Sequence, residues 1–170
     1  EETYELPNPM PTPASLQDLK NFLADNLENA KQTFTMDEDA GGTITGTQGT
    51  SVTFNANSFV TQSGTAVTGN IMIELIEIFS KKDMILMNAA TLGRQWDNSL
   101  KPLISGGEMR LTARQGTQYL KLAPGATYQA NVPTTTIDPN MTLFYGEGGR
   151  TPDTLVWNQV DSAQFFGQGS

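Results

Sequence analysis

The chain contains no cysteine and no histidine. The first absence excludes disulfide frameworks, thiol catalysis and thiolate-held zinc or iron–sulfur sites. The second removes the usual general base, the usual transition-metal ligand and the Ser-His-Asp triad. Charge is sparse, at 16% of residues, and leans acidic: 18 Asp and Glu against 10 Lys and Arg, a net of −8. An acidic chain repels phosphate backbones, so nucleic acid is not expected as a partner. No apolar run is long enough to cross a bilayer, and no stretch has the pattern of a signal peptide. No cofactor is expected from what remains.

Thr, Asn, Gln and Gly fill the space that charge leaves. A polar, weakly charged composition of this kind is common in secreted and envelope β-proteins, which sets an extracytoplasmic expectation. The Glu1-Glu2 start, without an initiator methionine, fits a processed or a trimmed start. At 170 residues the chain suits one domain with appendages, and a chain of this size buries about 70% of its unfolded surface.

The densest apolar stretch, Asn70 to Phe79, reads as a central strand buried on both faces. Glu74 and Glu77 interrupt it at an odd spacing, so a regular strand points them to opposite faces. At least one must leave the core through a bulge or strand end, or be buried with a partner. Before this strand, Pro7, Pro9, Pro11 and Pro13 make residues 1–14 an extended tether. Ser15 and Asp18 have capping-box spacing, and Leu16, Leu19, Phe22, Leu23, Leu27 and Ala30 follow at helical spacing. The spacing predicts an amphipathic helix over residues 15–31, one face packed on the β-domain.

Gln32 to Asp37 alternates as a strand. Short strands are expected at Thr43–Thr47, Thr50–Phe54, Ala66–Phe79 (interrupted near Gly69) and Ala89–Gly93. Ser80-Lys81-Lys82-Asp83 repeats the capping-box spacing before Met84 to Met87, which predicts one helical turn plugging an open end, or else a strand. Met109, Leu111 and Ala113 alternate against Glu108, Arg110, Thr112 and Arg114. Leu120 and Leu122 then Tyr128, Ala130 and Val132 continue the inward set, with Tyr119 and Lys121 outside. After a Thr/Pro linker, Met141–Tyr145 and Leu155–Val160 form a terminal hairpin and residues 161–170 a tail. Turn signals every 8–12 residues predict an all-β fold, an antiparallel β-sandwich. The sandwich spans residues 32–135, with linker, hairpin and tail over 136–170.

Gly49-Thr50-Ser51-Val52, Asn57-Ser58-Phe59, Gly64 with Val67-Thr68-Gly69, Glu77, Asp83-Met84-Ile85, Thr91, Ser105-Gly106-Gly107, Leu120-Lys121-Leu122, and Leu143 to Gly146 with Trp157 form an ordered series. Across residues 32–160 this series resembles the β-sandwich region of uncharacterised secreted or lipid-anchored envelope proteins of Bacteroidota-type bacteria. More distantly it is similar to the β-sandwich domain of ankyrins and netrin receptors. The resemblance implies a non-enzymatic extracytoplasmic module and transfers no binding residue.

The candidate sites are few. Glycosidases use two facing carboxylates, and the opposed faces of Glu74 and Glu77 argue against that chemistry. Glu77 is expected instead to accept backbone N–H groups at the start of the Ser80 turn, with Ser80 and Asp83 as structural partners, or else to be plainly solvent-exposed. Trp96 in a polar loop, Tyr119 and Tyr145 are candidate sugar-stacking or interface residues, whereas Trp157 suits core packing. Asp37, Glu38 and Asp39 before Ala40-Gly41-Gly42 read as a solvated acidic turn. A calcium site is the alternative there, although the spacing is not that of an EF-hand. The leading expectation is a structural or adhesive, protein-binding module whose partner is a protein or glycan at the cell surface. The alternatives are a carbohydrate-binding module and, less in keeping with the residues, a glycoside-acting enzyme. Contact with a membrane is expected only through a lipid anchor upstream of Glu1.

Overall fold

The computed structural model describes residues 15–89, 92–95, 97–103, 105–134, 142–147 and 156–159. The tether (1–14), most of the Thr/Pro linker, the tail and Trp96 lie outside the described residues. The first half runs α1 (Leu16–Asn29), β1 (Gln32–Asp37), β2 (Gly42–Thr45), β3 (Ser51–Phe54), β4 (Phe59–Thr61), β5 (Asn70–Ile78) and α2 (Lys81–Leu86). The described residues of the second half form strands: β6 (Leu92–Arg94), β7 (Leu100–Pro102), β8 (Glu108–Gln115), β9 (Gln118–Leu122), β10 (Tyr128–Asn131), β11 (Phe144–Glu147) and β12 (Val156–Gln159). The protein is mostly β, with antiparallel sheets.

Among the described residues three sheets form, ordered β1-β5-β8-β9-β4, β10-β3-β2 and β11-β12-β6-β7. β5 is the spine of the first, pairing antiparallel with β1 on one side and β8 on the other. Its alternation divides two clusters. Ile71, Ile73 and Leu75 enter a core shared with Met36 of β1, Ile44 of β2, Val52 and Phe54 of β3, Phe59 of β4 and Leu120 of β9. Side chains of the five-stranded and three-stranded sheets thus fill one core. Burying each large aliphatic side chain contributes about 1.5–3 kcal/mol. Phe54 sits at its aromatic centre, with ring centroids 5.1 Å from Phe59 and 5.7 Å from Tyr128.

The opposite parity of β5 serves the helices. Ile76, Ile78 and Met87 form a second cluster, against which Leu27 and Ala30 of α1 and Met84 and Ala89 pack. Ser15 caps α1, its hydroxyl accepting Asp18 N–H at 3.1 Å. Asn26 Nδ2 donates to the Leu86 carbonyl at 3.1 Å, fixing α1 to α2. Only the C-terminal half of α1 docks; Leu16 and Leu19 are exposed. Residues 84–86, left open between helix and strand by the spacing, are helical, with Ser80 as N-cap.

Several expectations need correction. The Ala66–Phe79 run is interrupted at Gly69 (φ +74°), as expected, but the strand proper starts only at Asn70. Val132 is exposed and lies past the end of β10. Glu108, on the face opposite Met109, is buried against Arg110. Tyr119, expected outside, is half-buried. The terminal hairpin is β11 with β12, but β12 also pairs parallel with β6, so one pairing departs from the antiparallel pattern.

Candidate functional site

Among the described residues four glutamates are buried, Glu38, Glu74, Glu77 and Glu108. Inward parity places the first three. Phe34, Met36 and Glu38 share one side of β1 and its extension, and Leu75 and Glu77 share one side of β5, with Glu74 on the other.

Glu77 is 2% exposed. Its Oε2 accepts Gln48 N–H and Gln32 Nε2, each at 2.9 Å, and its Oε1 accepts Thr50 N–H at 2.9 Å. Gln48 Nε2 donates to the Glu77 carbonyl at 3.1 Å, and Gln32 Oε1 accepts Thr47 N–H at 2.7 Å. The β2–β3 turn therefore gives its inward N–H groups to side chains of β5 and β1. A Cβ on Gly46 would collide with the Glu77 carboxylate, so the turn needs glycine there for close approach. Burial pushes the Glu77 pKa up, but the hydrogen bonds from Thr50, Gln32 and Gln48 outweigh it and hold the carboxyl below the ordinary glutamate value. The backbone donors come from the β2–β3 turn and not, as expected, from the Ser80 turn. That turn spends itself locally: Ser80 Oγ accepts Asp83 N–H at 3.0 Å and donates to the Asp83 carboxylate at 2.6 Å. The odd parity of Ile71, Ile73 and Leu75, continued to residue 77, is the signal that points Glu77 away from α2.

Glu74, on the helix side, meets Arg114 Nη2 at 2.7 Å and Lys31 Nζ at 3.7 Å. Glu74 and Glu77 thus stand on opposite faces with separate partners, an arrangement that does not let two carboxylates flank one glycosidic bond. Glu108 bonds Arg110 across two residues of β8; burial nonetheless pushes its carboxyl up further than Arg110 pulls it down.

The acidic turn divides. Asp37 and Asp39 are exposed, but Glu38 is completely buried, which corrects the reading of all three as solvated. Asp37 Oδ1 accepts Asp39 N–H at 3.1 Å, Asp39 Oδ2 accepts Gly69 N–H at 2.9 Å, and Glu38 Oε1 accepts Phe59 N–H at 2.6 Å. The three carboxylates turn to separate backbone donors. Among the described residues no group of three His, Cys, Asp or Glu could hold a metal ion.

The aromatic candidates are scattered. Tyr119 lies on β9, opposite Arg114 in register, and its carbonyl accepts Gln62 Nε2 at 3.4 Å. Tyr145 lies on β11 of another sheet and is 64% exposed. Burial pushes the Tyr128 phenol up, and the nearby Tyr145 adds to the effect. Trp157 is half-buried in β12, opposite Gly93. Trp96 lies outside the described residues.

One surface was not anticipated. The outward residues of the three-stranded sheet align in two rows, Thr43–Thr53–Gln129 and Thr45–Ser51–Asn131. Thr43 and Thr53 hydroxyls share a hydrogen bond of 2.7 Å. The rows are hydroxyl and carboxamide throughout, without a charge. No helix among the described residues is long and apolar enough to cross a membrane. No protein-family model, curated protein or solved structure matches this chain.

Proposed function

We propose that the chain is a non-enzymatic, extracytoplasmic β-sandwich module with a structural or adhesive role at the cell envelope, of the kind its sequence resembles in Bacteroidota-type bacteria. In this reading the five-stranded and three-stranded sheets are the two layers. The observation that carries the reading is the use of the buried carboxylates. Glu74, Glu77 and Glu108 are engaged with internal cations or amides, and Glu38 with a backbone N–H, so none stands ready as an acid or base toward a substrate. The neutral face over β10-β3-β2 supports adhesion, because interface centres are depleted in charge. Neither edge strand of that sheet carries a charge, although charges are a common means of blunting edge pairing.

The test pairs binding with turnover. Purified chain is passed over immobilised envelope polysaccharides and matrix proteins, with Thr53→Lys as the face variant. Binding by the wild type that Thr53→Lys loses at unchanged melting temperature supports the reading. Glycoside hydrolysis that disappears in Glu74→Gln or Glu77→Gln, with stability unchanged, sinks it in favour of an enzyme. A second reading, a carbohydrate-binding module, is favoured by the exposed Tyr145 ring. It requires glycan titration of tryptophan fluorescence to saturate, and to weaken in Tyr145→Ala.

A further inference from the structure

At the end of the β2–β3 hairpin opposite the Glu77 node, the 38–41 turn meets the 55–59 loop backbone to backbone. Gly41 stands at φ +70°, and a Cβ there would fall 2.6 Å from Ala56 N and from the Phe54 carbonyl oxygen. Asn57 N–H donates to the Glu38 carbonyl at 2.9 Å, and Glu38 N–H donates to the Gly69 carbonyl at 3.0 Å. The Glu38 side chain is enclosed in this junction, 0% exposed. Its Oε1 accepts Phe59 N–H at 2.6 Å, while its Oε2 is buried without a hydrogen-bond partner.

Among the described residues no cation meets this carboxyl. The 55–59 loop and the 67–69 segment packed on it contain no titratable side chain. Leu122 and Ala123, which pair with Phe59 and bond Ser58, are uncharged too. The charges that act on Glu38 are Asp39 and Asp37 on its own turn, both acidic. Burial raises the Glu38 pKa above the ordinary glutamate value, the Phe59 N–H and more weakly the Ser58 N–H oppose this, and the two aspartates raise it further.

We propose that Glu38 is a proton-operated clasp that holds the 38–41 turn against the 55–59 loop when neutral and releases it on ionisation. A buried carboxylate with one oxygen unsatisfied and only acids for neighbours is costly. Parting the turn from the loop lets water reach Oε2 and lowers that cost. The Glu77 end has no such release, because both of its carboxylate oxygens already receive donors. One end of the core therefore loosens as pH rises while the other stays closed.

The experiment is amide hydrogen exchange, corrected for intrinsic rates, across a pH series on the wild type and Glu38→Gln. The glutamine carbonyl keeps the acceptor for Phe59 N–H and cannot ionise. Protection at Asn57 and Phe59 in the wild type is expected to fall as pH rises through the Glu38 titration, by up to about tenfold per pH unit. Gln48 and Thr50 should not follow, and Glu38→Gln should show no such fall. Constant wild-type protection at Asn57 and Phe59, or a fall retained in Glu38→Gln, overturns the proposal. Should the variant not fold, a carbon-detected titration of the wild-type Glu38 carboxyl decides: a midpoint at or below that of an ordinary glutamate overturns the clasp.

Discussion

Glu77→Gln keeps the shape of a side chain that receives three hydrogen bonds but removes its charge. Hydrogen bonds to charged groups contribute about 1.5–3 kcal/mol each. Gln retains part of that, so the variant should lose about 1.5–3 kcal/mol in urea unfolding at neutral pH. The sign of its pH dependence follows from the depressed folded pKa. The contribution is complete above the unfolded value and is lost as pH falls through the folded one, so variant and wild type should converge in acid. A constant gap down to strong acid would show that packing, not charge, sets the loss. That Glu77 is buried with partners was one of the outcomes its spacing allowed. The identity of those partners was not legible, because Gln48 and Thr50 lie 29 and 27 residues away. Glu38 misleads for the converse reason. Three consecutive acids before glycines look solvated, yet the alternation of Phe34 and Met36 carries one step further and turns Glu38 inward.

The turns tying the strands together test a different quantity, close approach. Gly41 and Gly64 both have positive φ, at +70° and +91°. A Cβ at Gly41 meets backbone of the 54–56 segment at 2.6 Å, whereas one at Gly64 meets nothing within 4 Å. Gly64→Ala should therefore cost only the left-handed conformation, about 1–2 kcal/mol. Gly41→Ala adds overpacking against atoms that cannot rotate aside, a further 1–3 kcal/mol or so. Equal losses in thermal unfolding would mean that the two loops separate freely. Elements with local determinants were legible from the chain: both capping boxes, α1, and β1 with its bounds as read. The sequence showed less where pairing is distant. β4 hides in what looks like a turn because its hydrogen bonds are made to β9, and the parallel contact of β12 with β6 joins segments more than sixty residues apart. The neutral rows on β10-β3-β2 have no local signal at all, since register alone aligns them.

For the whole molecule, the buried carboxylates are expected to shape the stability profile. Asp37, Glu38 and Asp39 spend oxygens on backbone N–H groups, so excess EDTA should leave the melting temperature unchanged; a drop on chelation restores the calcium reading. The pH profile is the sharper test, because the two ends of the core titrate in opposite senses. Glu77, with its lowered folded pKa, contributes a limb on which stability is lost as pH falls below the unfolded glutamate value. Glu38, raised mainly by burial, contributes a limb on which stability is lost as pH rises from the unfolded value through the folded one. Glu108, raised by burial against the pull of Arg110, adds to that second limb. Both limbs start from the unfolded value of about 4.3. Self-repulsion acts the same way on the upper side, since the net charge grows to −8 by neutrality. The free energy of unfolding should therefore peak in mild acid, below the usual maximum at about pH 5 to 8. Urea unfolding across a pH series should place the maximum there, with Glu38→Gln flattening the upper limb and Glu77→Gln the lower. A maximum at neutrality, unmoved by either substitution, would mean that neither buried glutamate titrates differently in the folded and unfolded chain, and the contrast between the two ends of the core would then be one of packing alone.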